Sequence, residues 1–248
     1  MTYTLKARRY IEGVLRGDIP ACRQIKLACQ RTKDNFDRLS DPKFSYFYFE
    51  AQAERVCQII EMLPHVKGKW AAQGKKIVLE DWQCWIVCEL YGWLRKEDNK
   101  RKYRRATLII PRKQGKSLLL AAMLVIHLLF DGEFGAECYC GASNLKQAKE
   151  IFSAAQKMLL NSPDIRELTG VEVNAASLVV ADGCNWMGRG SSRHLHDDRE
   201  AERIAVDDRG GLRHTEDRPL DCGGARIERF GFLNPLNRSG GQQDAVRH

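Results

Sequence analysis

Residues 107–129, TLIIPRKQGKSLLLAAMLVIHLL, leave few options for the local fold. A branched apolar run reaches Ile110, a turn of Pro-Arg-Lys-Gln-Gly-Lys-Ser follows, and a long apolar helix opens beyond it. Strand, loop and helix in that order bring backbone N–H groups to a helix N-terminus, where the helix dipole also favours an anion. Gly115 supplies the flexible turn, Lys116 an ammonium for a β/γ-phosphate and Ser117 a hydroxyl for Mg²⁺, in the order a phosphate-binding loop requires. The usual first glycine of G-x-x-x-x-G-K-[ST] is replaced by Ile110, and Pro111, with its fixed φ, is expected to set an alternative exit from the strand. Arg112 and Lys113 add two cations beside the phosphates. An arginine there can stabilise a γ-phosphate in cis, or simply attract ATP.

The flanking pattern fits this reading. Ala106–Ile110 reads as a strand buried on both faces of a parallel sheet. A helix is expected over Leu118–Phe130, a strand over Glu137–Gly141, and a second helix over Asn144–Leu160. That order predicts an α/β fold of the P-loop NTPase type, a doubly wound parallel sheet with right-handed crossovers. Upstream, helices are predicted over 4–17, 20–39 and 47–64, the last with Ser45 as N-cap, Pro64 just beyond its end, and Phe49, Ala53, Val56, Ile60 and Leu63 in helical register. Residues 65–76 read as a loop. Trp82, Trp85, Ile86, Leu90 and Trp93 then share one helical stripe, which marks core. The expected organisation is a helical region over 1–78, an ATPase core over 79–183 and an irregular tail over 184–248.

Composition bounds the remaining classes. No run of 18 uncharged apolar residues occurs, and the N-terminus lacks the apolar centre of a signal peptide, so a soluble, non-secreted protein is expected. Nine cysteines at spacings such as Cys84-x3-Cys88 and Cys138-x-Cys140 fit no zinc pattern, and mostly buried, reduced thiols are expected, with Cys138 and Cys140 on one strand face. The net charge is +8, and residues 95–105, RKEDNKRKYRR, are its densest part. They read either as a solvated loop or as a surface for nucleic-acid phosphates. All sixteen lysines lie at or before Lys157, whereas residues 185–248 hold eleven arginines and nine glycines without sustained periodicity. Either a disordered tail or an out-of-frame read explains that shift.

Several segments carry a resemblance to one family. PRKQGKS, residues 111–117, looks like the deviant phosphate loop of phage terminase large subunits, typically P/S-R-x-x-G-K-S/T. LEDWQ, residues 79–83, resembles the family's L-x-x-W-Q adenine motif, and residues 139–158 resemble its A-[ST]-x-x-x-Q-A segment. Residues 9–36 look like the helical lead-in of one long-tailed-phage branch. The resemblance implies a motor that couples ATP hydrolysis to the movement of double-stranded DNA into a capsid, with a small terminase subunit and a portal protein as partners, no membrane partner, and action in the cytoplasm of the bacterial host. It implies that Gln83 reads the adenine edge with Trp82 packed nearby. Pro111, Arg112, Lys113, Gln114, Gly115, Lys116 and Ser117 would hold the phosphates, with Lys116 and the cis Arg112 in catalytic roles and Ser117 on Mg²⁺.

The family also needs an apolar run ending in Asp-Glu, for Mg²⁺ and for activating water, and no Asp-Glu dipeptide occurs in the sequence. Asp182 follows the run SLVVA, but Gly183 stands in the glutamate position. Asp182 is carried as the second metal candidate, while HLHDD, residues 194–198, is set aside as a chance cluster. No ribonuclease-H-like nuclease is visible after the ATPase segment. The expectation is an N-terminal ATPase fragment, truncated or frameshifted, weak or inactive in hydrolysis. The rivals are a non-catalytic remnant that binds nucleotide, DNA or packaging partners, and a fragment of a helicase-type translocase.

Overall fold

The computed structural model describes residues 1–131, 137–142, 145–175, 177–180, 193–196 and 226–231. Helix α1 (Tyr3–Arg16) opens on Thr2, whose hydroxyl accepts the Leu5 N–H, and closes on Gly17 at φ 90°. Helices α2 (Arg23–Asp37), α3 (Glu50–Met62), the short α4 (Gly68–Ala72) and α5 (Asp81–Gly92) follow. Helix α5 packs on both α1 and α3, and Cys84, Trp85, Val87, Cys88 and Tyr91 are buried along it. A helix enclosed by others has to be apolar almost all round, and this one is.

The third helix starts later than its periodicity suggests. Tyr46–Tyr48 form strand β1, antiparallel to β2 (Trp93–Arg95), so Phe49 rather than Ser45 precedes the helix. Three consecutive aromatics favour extended backbone, and the pairing sets Tyr48 against Trp93 with ring centroids 5.2 Å apart, Phe36 lying 4.9 Å from each. Trp93 is fully buried, yet it has left the helical stripe for β2. Within the expected loop over 65–76, α4 forms, and Trp70 packs on His65 at 4.8 Å.

Helix α6 (Lys116–Leu129) is the axis of the second half, with every residue from Leu119 to Leu129 buried. Helix α7 (Leu145–Leu160) packs beside it, with Ala148, Ile151, Phe152, Ala155 and Leu159 buried, as their spacing predicts. Helix α8 (Pro163–Thr169) ends on Gly170, again left-handed at φ 63°. Buried residues of α1, α3, α5, α6 and α7 belong to one continuous core.

The sheets depart from expectation. Strand β3 (Arg105–Ile110) pairs antiparallel with β8 (Arg226–Gly231). A separate sheet runs in the order β4 (Glu137–Tyr139), β7 (Arg193–His196), β6 (Ser177–Val180), β5 (Val171–Val173), with only β4 and β7 parallel. No doubly wound parallel sheet forms among the described residues; the architecture is mixed α/β, mostly helical with small sheets. Two reasons are local. Arg105 and Thr107 share a face of β3 with Ile109, and that face is exposed, so the strand is one-sided rather than buried on both faces. Residues 174–176 are too short a link for a crossover, so β5 and β6 must run antiparallel.

Of the described cysteines, Cys29, Cys57, Cys84, Cys88, Cys138 and Cys140 are buried and Cys22 is exposed, all as free thiols. Cys138, in β4, and Cys140, just past its end, are both buried. No helix among the described residues is long and apolar enough to cross a membrane.

Two helical glycines test the packing. A Cβ on Gly92 would overlap the ring of Tyr48, whereas one on Gly13 would meet the tip of the flexible Ile19 side chain at 2.7 Å. Gly92→Ala is expected to cost about 2 kcal/mol in urea denaturation, and Gly13→Ala to be close to neutral because helix propensity offsets the crowding.

Candidate functional site

Strand β3 ends at Ile110 and α6 begins at Lys116, so residues 111–115 make the turn between them. The sharp exit that a first glycine would permit is not made at Ile110, which stays in the strand. The chain turns instead at Lys113, φ 67°, and at Gly115, φ 73°. Glycine adopts this left-handed backbone readily, whereas a lysine held there costs about 1–2 kcal/mol. Gly115 is also the N-cap of α6, without a side-chain cap, and its carbonyl accepts the Leu119 N–H at 3.0 Å. The N–H groups of the helix's first turn therefore have no carbonyl partner within the helix, which is what makes such a terminus attractive to an anion. Arg112, Lys113, Gln114 and Ser117 are exposed around it, and Lys116 is half-buried.

The first turn of α5 meets this loop. Gln83 and Glu80 form a reciprocal capping box: the Glu80 side chain accepts the Gln83 backbone N–H, and the Glu80 N–H donates to Gln83 Oε1 at 2.9 Å. Because a backbone N–H only donates, the atom facing Glu80 must be the carboxamide oxygen. Nε2 then points the other way, to within 3.7 Å of where a Cβ on Gly115 would stand. Residues more than thirty positions apart in the chain thus converge, with Trp82 half-buried in the same turn of α5. Sequence reasoning missed Glu80 as the residue that orients Gln83. The signal was the E-x-x-Q spacing, disguised because glutamate is not a usual N-cap residue.

Asp182 lies outside the described residues, as do Asp197 and Asp198 of the HLHDD cluster. No group of three His, Cys, Asp or Glu side chains suited to a metal occurs among the described residues.

Three of the seven cations in the basic run at 95–105 are engaged internally. Arg95 pairs with Asp98. Lys102 Nζ donates to Asn35 Oδ1 at 2.7 Å and lies 4.6–5.3 Å from the ring centroids of Phe44, Tyr46, Trp93 and Tyr103. Burial lowers its pKa and Arg31 and Arg38 push the same way, against the pull of buried Glu89, which accepts from Tyr103 Oη at 2.7 Å and from Trp93 Nε1 at 3.1 Å. Arg101 donates to Asp131 Oδ1 at 2.8 Å, and Asp131 Oδ2 lies 3.0 Å from His127 Nδ1. Lys96, Lys100, Arg104 and Arg105 are the run's exposed cations.

Residues 81–172 match the family model of the terminase large subunit, ATPase domain. That segment is similar to the terminase ATPase. It begins at the start of α5 and ends within β5, so α5, the turn at residues 111–115 and α7 all fall inside the terminase match. A solved structure, the crystal structure of the HK97 bacteriophage large terminase, is 25% identical over 59% of this chain and 27% of that chain, with a TM-score of 0.45. The chain therefore spans about a quarter of that terminase's length. No curated protein matches.

Two measurements follow from this geometry. Lys113→Gly relieves the left-handed strain and should raise stability by about 0.5–1 kcal/mol in urea denaturation, the gain being reduced by glycine's extra unfolded-state entropy. The second concerns acid. Burial lowers the His127 pKa below 6.5, partly opposed by Asp131. Burial alone would raise Asp131, but His127 and Arg101 together hold it below 3.8. Both groups bind protons less readily folded than unfolded, so their stability is complete above the unfolded values and is lost as pH falls through the folded ones. The melting temperature should fall on acidification below pH 6.5, the ordinary histidine value, and fall less steeply in His127→Gln. Parallel profiles would remove His127 as the titrating group; His65, also lowered by burial, would leave a residual slope.

Proposed function

We propose that this chain binds ATP with Mg²⁺ at residues 111–117 and forms, over residues 79–183, the ATPase part of a motor that packages double-stranded DNA into a phage capsid. The observation that carries the reading is the meeting of Gln83 Nε2 with Gly115, which sets a base-reading carboxamide beside a helix-borne phosphate loop. In this reading Gln83 hydrogen-bonds the adenine edge beside Trp82. The turn of Pro111, Lys113, Gln114 and Gly115 directs backbone donors at the polyphosphate. Lys116 neutralises its β/γ-oxygens, and Arg112 approaches the γ-phosphate.

Mg²⁺ keeps most of its water and takes further ligands from phosphate oxygens. The exposed Ser117 hydroxyl, a hard oxygen donor beside Lys116, fits that requirement, and Asp182 is the second ligand we assign to it. Bound there, the metal would neutralise charge on the β- and γ-phosphates. The sequence holds no Asp-Glu pair to follow the metal carboxylate with a water-activating glutamate, so hydrolysis should be slow or absent. The small terminase subunit and the portal are the protein partners, and the host cytoplasm the site of action. The same missing pair favours a second reading, a non-catalytic chain that binds nucleotide, DNA or packaging partners, and phosphate release in the presence of DNA separates the two.

Thermal unfolding tests the nucleotide site. ATP–Mg²⁺ at about a hundredfold excess over Kd should raise the melting temperature by roughly 5–10 °C. Lys116→Ala should abolish that rise. An unchanged rise in the variant would remove the phosphate-loop assignment.

A further inference from the structure

Helices α5 and α6 each begin at one half of the nucleotide site, Gln83 in the first turn of one and Lys116 at the start of the other. They also meet near their far ends, where Tyr91 Oη lies 3.0 Å from His127 Nε2. From Gln83 to Tyr91 is about 12 Å of helix, and from Lys116 to His127 about 16 Å. In between, α5 packs mainly on α1 and α3 and α6 mainly on α7, so no broad shared face fixes one against the other.

The far-end contact belongs to a small buried network. His127 Nδ1 lies 3.0 Å from Asp131 Oδ2 and 3.2 Å from Arg101 Nη1. When Nδ1 carries the ring proton and donates to Asp131, the Tyr91 hydroxyl donates to Nε2; when Nδ1 accepts from Arg101, the Nε2–H donates to Tyr91 Oη, so either tautomer makes the bond between the two helices. Arg101 Nη1 spans both oxygens of Asp131, 2.8 Å from Oδ1 and 2.7 Å from Oδ2, and the guanidinium lies 5.5 Å from the Tyr91 ring centroid. Tyr91 and His127 are buried, at 1% and 7% exposure, so the chain of bonds is shielded from competing water. Cys138, on β4, is close enough to feel the charges of Asp131 and Arg101.

We propose that Tyr91, His127, Asp131 and Arg101 are positioning residues that hold the base-reading helix at a fixed offset from the phosphate loop. The inference rests on the nucleotide reading above. None of the four residues belongs to the loop; they act through Gln83. A ligand using both halves of the site senses their offset, whereas a bare polyphosphate senses only the loop.

The test compares the binding of ATP and of inorganic tripolyphosphate, each with Mg²⁺, to the full chain by calorimetry. Tyr91→Phe keeps the ring and removes the hydroxyl. It should weaken ATP by about tenfold while leaving tripolyphosphate unchanged. In a Gln83→Ala background the same substitution should add nothing further to the loss of ATP affinity. Asp131→Asn, at the cluster's more accessible edge, should give the same selective loss and serves if Tyr91→Phe folds poorly. Equal weakening of both ligands would mean a general structural role and overturn the proposal. If Gln83→Ala erases the preference for ATP but neither cluster variant does, the cluster proposal alone falls. If no variant, Gln83→Ala included, changes the preference, base reading by Gln83 falls with it.

Discussion

Helix α6 must be enclosed on nearly every side and yet begin in water. Its residues from Leu119 onward are all buried and, His127 apart, apolar round the whole circumference, while its first turn, at Lys116 and Ser117, opens on an exposed loop. The other elements answer that demand. Helix α7 covers one flank, α3 reaches it from the N-terminal helices, and strands β4 and β7 line another side. Burial anchors the helix along its length, so an anion drawn to its N-terminus meets donors whose positions are already set. Rigidity behind the loop is thus a by-product of apolar packing.

Polar groups within the packed region are organised around two carboxylates. Glu89 receives Tyr103 and Trp93 and stands close to the wrapped ammonium of Lys102, while Asp131 receives His127 and Arg101. A buried carboxylate without such donors would cost several kcal/mol. Both clusters tie the residues 95–105 back onto helices far away in sequence: Asn35 on α2 in one case, Asp131 beyond α6 in the other. The segment leading into β3 is thereby pinned before the chain enters the strand and the turn at residues 111–115.

Much of this was legible in the residues. The strand-loop-helix around Gly115-Lys116-Ser117, the helical register of α7 and the burial of the cysteines followed from spacing and side-chain type alone. The boundary at Phe49 did not, because the pairing of Tyr46–Tyr48 with Trp93–Arg95 joins segments separated by forty-odd residues, and no local window contains it. Strand β3 was misjudged for a similar reason: Leu108, Ile109 and Ile110 look continuous, but Arg105 and Thr107 decide which face stays wet. At the site, the loop could be read from its own residues, whereas the orientation of Gln83 depends on a bond to Glu80 that only folded backbone reveals. The partners of Arg101 and Lys102 are equally distant in sequence, and a basic run cannot announce that part of its charge is turned inward.

That inward turn changes what the formal charge of +8 means for any polyanion near the chain. Exposed cations hold a loose cloud of small anions, and pairing with phosphate also frees cations condensed on the nucleic acid; together these set how steeply binding weakens with salt. Arg101, paired with Asp131, and Lys102, wrapped by four rings, are both half-buried and keep less of such a cloud than an exposed cation. Within this segment the ionic-strength dependence of any association with DNA is left to Lys96, Lys100, Arg104 and Arg105. The molecule is electrostatically less basic toward DNA than its composition states.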